Sequence, residues 1–405
     1  MEAGAGSERG CELSVVVTAR NDDHGGGMLG RVGIFVKGLL ALAAKFGLRG
    51  ELIVVEWNPP QTARLWQVLE IGEVPKDFAV RFLEVPHGIH RRLRNSDVIP
   101  LFQMIAKNAG IRRARGRFVL ATNPDVLFSA ELVEWMASGR WREDRLYRVD
   151  RHDVEAGVPG GVGIDEQLEW CRGHVIRVHR RLVSRSVGGT PGRRLVDGWV
   201  RILRAALGWR WAGWARAVRA AIPLFSEGWA RTAMRAREWA RRGFQALARV
   251  ADPLAAVHTN ACGDFTLLAR TAWFRLRGYP ELEMWSMHVD SLLCYMAVAS
   301  GMRQEILRWP AAVFHIEHGR SWVTLRPEER LQIFAQRPWL DLWVLQDAAR
   351  RMLFQRAPVV VNSELWGLGG EELEEVRFGG SGARRLRAAG LKESEVESGG
   401  REARG

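Results

Sequence analysis

Between Leu13 and Val149 the chain alternates short, almost wholly apolar runs with longer stretches whose apolar residues recur at helical spacing. This alternation restricts the fold more than any other feature. Buried strands joined by helical crossovers build a mostly parallel, doubly wound sheet with helices on its faces. The runs are Leu13–Thr18, Glu51–Trp57, Phe78–Val85, Arg117–Thr122 and Arg145–Val149. Among the intervening stretches, Met28–Phe46 sets Leu29, Val32, Phe35, Val36, Leu39, Leu40, Ala43 and Phe46 on one apolar face. Thr62–Leu69, Ile99–Ala114 and Glu131–Ser138 read as further helices. The polar loop after the first strand, Ala19 to Gly27, is glycine-rich but is not GxGxxG, so a dinucleotide fold gains little from it. The first 150 residues read as one nucleotide-binding α/β unit.

The fourth run stops at Asn123-Pro124-Asp125. Pro124 cannot donate to a sheet ladder, so the strand ends there and presents Asp125 at its carboxyl end. Ligands of open α/β sheets bind at that end. A carboxylate placed there suits a hard divalent cation that is shared with substrate phosphates. The competing reading is a plain turn, for which Asn-Pro-Asp is also good chemistry.

Charge is distributed unevenly. Of the net +13, the segment from Ser184 to Val250 holds 14 Arg against Asp197, Glu227 and Glu238, or +11. The rest is near neutral, which argues against a general nucleic-acid binder. The same segment holds Trp199, Trp209, Trp211, Trp214, Trp229 and Trp239 at helical spacing. Such helices can lie on a membrane surface, with Trp at headgroup level and Arg on anionic lipid. The alternatives are a helical insertion packed on the fold or in an oligomer contact and, as a third reading, nucleic-acid binding. Cys11, Cys171, Cys262 and Cys294 have no metal-ligand spacing, which suits a reduced, cytoplasmic chain. No signal peptide or membrane-spanning run is expected.

Residues 1–11 read as a disordered leader, 12–150 as the nucleotide-binding α/β half, and 151–257 as a helical, Arg/Trp-rich insertion that includes a helix over Asp165–Arg181. Residues 258–356 read as a second, motif-dense half with C-terminal helices, and 367–405 as a disordered tail. In the 258–356 part, short helices are expected at Thr271–Leu276 and Met287–Ser300, a strand at Ala311–His315, and a helical end over Glu328–Phe354.

The ordered set of motifs resembles the inverting GT-A glycosyltransferases, closest to their family 2 group. Ser14–Asp22 looks like their opening strand and nucleotide loop, and Leu52–Asn58 like their second strand. Lys107–Gly116 (KNAGIRRARG) is similar to the helix leading into the metal strand. Asn123-Pro124-Asp125 stands where they carry Asp-x-Asp, with Asn replacing the first Asp. Gly263-Asp264-Phe265, Arg277-Gly278-Tyr279-Pro280-Glu281 and His288-Val289-Asp290 resemble their acceptor-side segments.

The resemblance implies a GT-A-type fold and a metal-dependent, inverting transfer of a sugar from a nucleotide-sugar donor to a glycan or lipid-linked acceptor. The lipid-linked acceptor, and a cell-surface glycan as the product class, come from the membrane reading of the Arg/Trp block. Manganese or magnesium would be held by Asp125 and by His315, with His318 as the alternative late histidine. Asp290 is the expected base, with an N-cap as its structural alternative, and Asp264 is its competitor. Thr18, Arg20, Asn21, Asp22, Glu56, Asn108, Arg112 and Asn123 are the expected nucleotide-sugar contacts. Asn108 and Arg112 lie one helical turn apart and so can face one ligand, while Arg112 also reads as part of a solvated basic helix end. The expected location is cytoplasmic, with a membrane surface contacted through residues 190–250. The rival functions are a sugar-phosphate nucleotidyltransferase and a non-catalytic glycan-binding protein with a transferase-like fold.

Overall fold

A computed structural model describes residues 11–22, 25–60, 63–181, 183–187, 252–318, 327–379 and 384–388. The Arg/Trp-rich block, with Trp199, Trp209, Trp211, Trp214, Trp229 and Trp239 and the membrane reading of residues 190–250, lies outside the described residues.

The strands, in chain order, are β1 (Leu13–Ala19), β2 (Gly50–Trp57), β3 (Phe78–Val85), β4 (Phe118–Ala121), β5 (Val126–Phe128), β6 (Arg145–Val149) and β7 (Arg151–Val154). They continue as β8 (Val175–Arg180), β9 (Val183–Ser186), β10 (Thr266–Ala269), β11 (Arg303–Leu307), β12 (Val313–Ile316), β13 (Leu373–Phe378) and β14 (Arg384–Ala388). Nine form one sheet in the order β11-β6-β10-β4-β1-β2-β3-β13-β14, and five form a second in the order β5-β12-β7-β8-β9. The centre of the large sheet, β4-β1-β2-β3, is parallel, while β10 and β13 run antiparallel to their neighbours. The apolar runs become strands because they are buried on both faces: every residue of β1 and of β2 is buried. The Met28–Phe46 helix packs on the second sheet through β5, with Phe35 edge-on to Phe128. The Gln103–Arg112 helix lies close on the large sheet. A Cβ on Gly110 would stand 2.6 Å from Val16 Cγ1 and 2.9 Å from Val55 Cγ2, so this position of the KNAG motif requires glycine.

Two expectations are corrected. The helix expected over Asp165–Arg181 spans Ile164–Gly173, and the chain then turns into β8. Gly173 weakens the helix end, and the following Val175, Ile176 and Val178 favour a strand. The described start of the 151–257 insertion is therefore mixed, with β7, β8 and β9 beside the Ile164–Gly173 helix. The 367–405 segment is not wholly a disordered tail either, because β13 pairs antiparallel with β3 and β14 pairs with β13. The reason is a buried charge cluster. Arg81, 2% exposed, grips Glu375 with two bonds of 2.8 Å and reaches Glu51 at 3.0 Å and Arg113 O at 2.9 Å. The expected helical end is two helices, Pro327–Gln336 and Leu342–Gln355. Among the described residues no helix is long and apolar enough to cross a membrane.

Candidate active site and metal centre

Strands β2 and β3 lie on one side of β1, and β4 lies on the other. The carboxyl ends of β1 and β4 therefore flank a topological switch point, where a crevice forms. Pro124 ends β4, and the chain resumes at Val126 in the second sheet, where β5 runs antiparallel to β12 and sets Val126 opposite His315. Asp125 thus stands at the junction of the two sheets, and its carbonyl accepts Ile316 N–H at 2.9 Å. That register brings Asp125 against the end of β12.

His315 Nε2 lies 3.6 Å and His318 Nε2 3.5 Å from Asp125 Oδ2. One ligand atom from each of the three residues lies within 4.8 Å of the others. Burial pushes the Asp125 carboxyl up, but the two imidazoles outweigh it and hold it well below the usual carboxylate range. Burial and Arg151 pull the His315 ring down, yet Asp125 prevails and raises it. Asp125 Oδ1 is buried without a hydrogen-bond partner. An unspent carboxylate oxygen beside two imidazoles is a donor set that fits a divalent cation. His315 and His318 both stand beside Asp125.

Asn123 does not point its amide at this cluster's carboxylate. Its Oδ1 accepts from Lys107 Nζ at 2.8 Å and Gln103 Nε2 at 3.0 Å, and its Nδ2 donates to Asp264 Oδ1 at 2.6 Å. Lys107 also donates to Gly263 O at 2.9 Å. Burial pushes its ammonium down to about 8, against the pull of Asp264 and Asp290. Asp264 is further bound at Oδ2 by Arg151 Nη1 at 2.8 Å, so both of its oxygens are engaged. Asp290 is placed differently. It sits in the first turn of the Val289–Ala299 helix, one residue past the N-cap position of His288, so it serves the helix start from inside rather than as the cap itself. Its Oδ1 accepts Ser291 N–H at 2.8 Å. Its Oδ2 and Asn123 Nδ2 stand 3.2 and 3.6 Å from where a Cβ on Gly263 would lie, so glycine there keeps the two side chains close.

After β1, Arg20 Nε donates to Asn58 O at 2.8 Å and its Nη1 pairs with Asp22 at 2.6 Å, while Asn21 Nδ2 donates to Ala63 O. These three follow the carboxyl end of β1. Four expected contacts are spent elsewhere. Thr18 is buried and donates to Val55 O. Asn108 is fully buried and bonds Tyr279 and Glu281. Arg112 bonds Glu364 O and Trp366 O and lies over the Trp366 ring. The face that Asn108 and Arg112 share is thus real, but it clamps the 277–281 turn and the 362–368 segment instead of a ligand.

Glu56 is 1% exposed, and both of its oxygens accept Leu65 N–H. It lines a 630 Å³ cavity with Arg64, Glu84, Glu372 and Glu374, whose acidic lining is unsuited to phosphate. Burial pushes its carboxyl up to about 7, more than the Leu65 bonds lower it. The folded value lies above the unfolded one. The folded chain is therefore favoured below the ordinary glutamate range, and that advantage fades as pH rises towards 7. Glu56→Gln should consequently gain melting temperature relative to wild type between pH 5 and pH 7.5. Parallel melting curves at the two pH values would refute this if their difference stayed constant.

Sequence reasoning missed Lys107, Arg151, Asp153 and His179. Lys107 was visible only as part of KNAG, and the others become site residues only through the pairing of the second sheet.

No protein-family model matches the chain, and no curated protein matches it. Among solved structures, one similar chain is GalNAc-T7, crystallised with UDP, GalNAc and Mn2+: 12% identical, covering 79% of this chain and 46% of that one, TM-score 0.34. Another is S. aureus TarS 1–349: 14% identical, covering 85% of this chain and 71% of that one, TM-score 0.37. The chain thus spans about half the length of the first.

Proposed function

We propose that the chain is a metal-dependent, inverting glycosyltransferase that moves a sugar from a nucleotide-sugar donor to a glycan or lipid-linked acceptor. One observation carries the reading: Asp125, His315 and His318 converge at the carboxyl end of β4, with Asp125 Oδ1 buried and unpartnered. Asp125, His315 and His318 would hold the ion. Two imidazoles in the set favour Mn2+ over Mg2+, which prefers an all-oxygen shell. A divalent ion bound there supplies a Lewis acid for the negative charge on the departing diphosphate.

The remaining roles fall to the chain's own groups. Arg20, Asn21 and Asp22 frame the donor on the β1 side, and Asn123 holds Asp264 in place on the β4 side. Asp264, held by Asn123 and Arg151, is a fixed acceptor for a sugar hydroxyl rather than a base. Asp290 keeps Oδ2 without a hydrogen bond among the described residues, so it can take the proton of the acceptor hydroxyl as that oxygen attacks the anomeric carbon. The loss of charge at Asn123 does not weigh against catalysis, because the amide anchors Lys107 and Asp264 instead of the ion.

Asp290→Asn tests the base. Donor binding should survive, while turnover should fall by about 10²–10⁴-fold. Initial rates equal to wild type would remove Asp290 from the role. The lipid-linked acceptor and a peripheral membrane location rest on the Arg/Trp pattern of residues 190–250 alone.

A further inference from the structure

We propose that Asp153 is a positioning residue for His315, fixing which ring nitrogen of His315 faces the cation; this rests on the metal reading above. Strands β7 and β12 run parallel and set Asp153 beside His315 in register. Asp153 is fully buried. Its Oδ2 is held by His179 Nε2 at 2.8 Å and Arg177 Nη1 at 2.9 Å. An ionised carboxylate only accepts, so His179 carries its hydrogen on Nε2, and its Nδ1 is left to accept the Ser184 hydroxyl at 2.7 Å. With Oδ2 fixed in this way, Oδ1 lies 3.7 Å from His315 Nδ1, and that ring nitrogen is buried without a hydrogen bond. Arg151 lies 2.7 Å from the same Oδ1 and 2.8 Å from Asp264, which ties the carboxylate to the rest of the site.

His315 therefore stands between two carboxylates. Its Nε2 faces Asp125 and its Nδ1 faces Asp153. A modest turn of the ring closes the Nδ1–H to Asp153 bond and leaves the Nε2 lone pair for the cation. A carboxylate behind a ligating histidine sets both its tautomer and its orientation. Nothing else among the described residues is placed to take that hydrogen.

The test is a double-mutant cycle on the full chain, reading free Mn2+ by electron paramagnetic resonance during titration. Asp153→Asn and His315→Gln should each weaken Mn2+ binding by about 10–100-fold, and Asp153→Asn should add nothing in the His315→Gln background. Independent, additive losses, or an Asp153→Asn change below about threefold, would overturn the positioning role. Should Asp153→Asn fail to fold, ¹⁵N spectra of Zn2+-loaded wild type decide the matter without a variant. Zinc on Nε2 with hydrogen on Nδ1 supports the proposal, and zinc on Nδ1 overturns it. If wild type binds no divalent ion, the metal reading itself fails, and this shows before any variant is made.

Discussion

Asp125→Ala is expected to abolish both Mn2+ binding and transfer while leaving the metal-free fold standing. The carboxylate is the anionic member of the three-residue cluster, and both imidazoles approach the same oxygen, Oδ2. Removing it leaves two neutral or mutually repelling rings, a poor site for a divalent cation. Loss of the ion's charge stabilisation is worth several kcal/mol in the transition state, so kcat/KM should fall on the order of 10³-fold or more. The metal-free protein should lose only the attraction between Asp125 Oδ2 and the two imidazoles, a modest destabilisation. Asp125 Oδ1 makes no hydrogen bond, so no donor is orphaned at that oxygen. The contacts that seat the loop are backbone ones, Ile316 N–H to Asp125 O among them, and alanine keeps these. Denaturation in chelator would separate the two effects, and a collapse of the metal-free fold would show that Asp125 is structural.

The largest loss of stability is expected from Arg81→Met. The guanidinium neutralises Glu51 and Glu375, each about as buried as Arg81 itself. Methionine fills much of the volume but leaves two carboxylates without a cation. Breaking a buried pair in this way costs about 3–5 kcal/mol. Glu51 would retain Ser14 Oγ at 2.6 Å and Arg115 N–H at 2.7 Å, so Glu375 bears most of the damage. Strand β13 should therefore loosen first, and its amides should lose protection from hydrogen exchange ahead of β1 and β2. Adding Glu375→Leu to Arg81→Met should recover part of the loss, because an apolar pair needs no neutralisation. Urea unfolding within about 1 kcal/mol of wild type would contradict the account.

These two sites also mark how far the sequence could be read. The central strands were legible because burial on both faces leaves them almost wholly apolar, and the Met28–Phe46 helix was legible from its spacing. Pro124 marked the end of β4, but nothing local marks Val126–Phe128 as a strand of another sheet. Its partner β12 comes from far along the chain, and only that pairing brings His315 and His318 to Asp125. Glu375 was hidden for a similar reason. An acidic residue in a Gly/Arg/Glu-rich segment reads as solvated unless its buried partner, Arg81, is known. Asn108 and Arg112 show the opposite failure: helical spacing correctly puts them on one face, but cannot say whether protein or ligand covers it.

The most direct measurement of the central claim is a thermal-shift panel of nucleotide sugars, run with Mn2+ and with chelator on wild type and Asp125→Ala. The account predicts that a donor raises the melting temperature of wild type with Mn2+, and that the shift vanishes in chelator and in the variant. Absence of any shift across the panel with metal present, or a shift indifferent to both metal and Asp125, would contradict it.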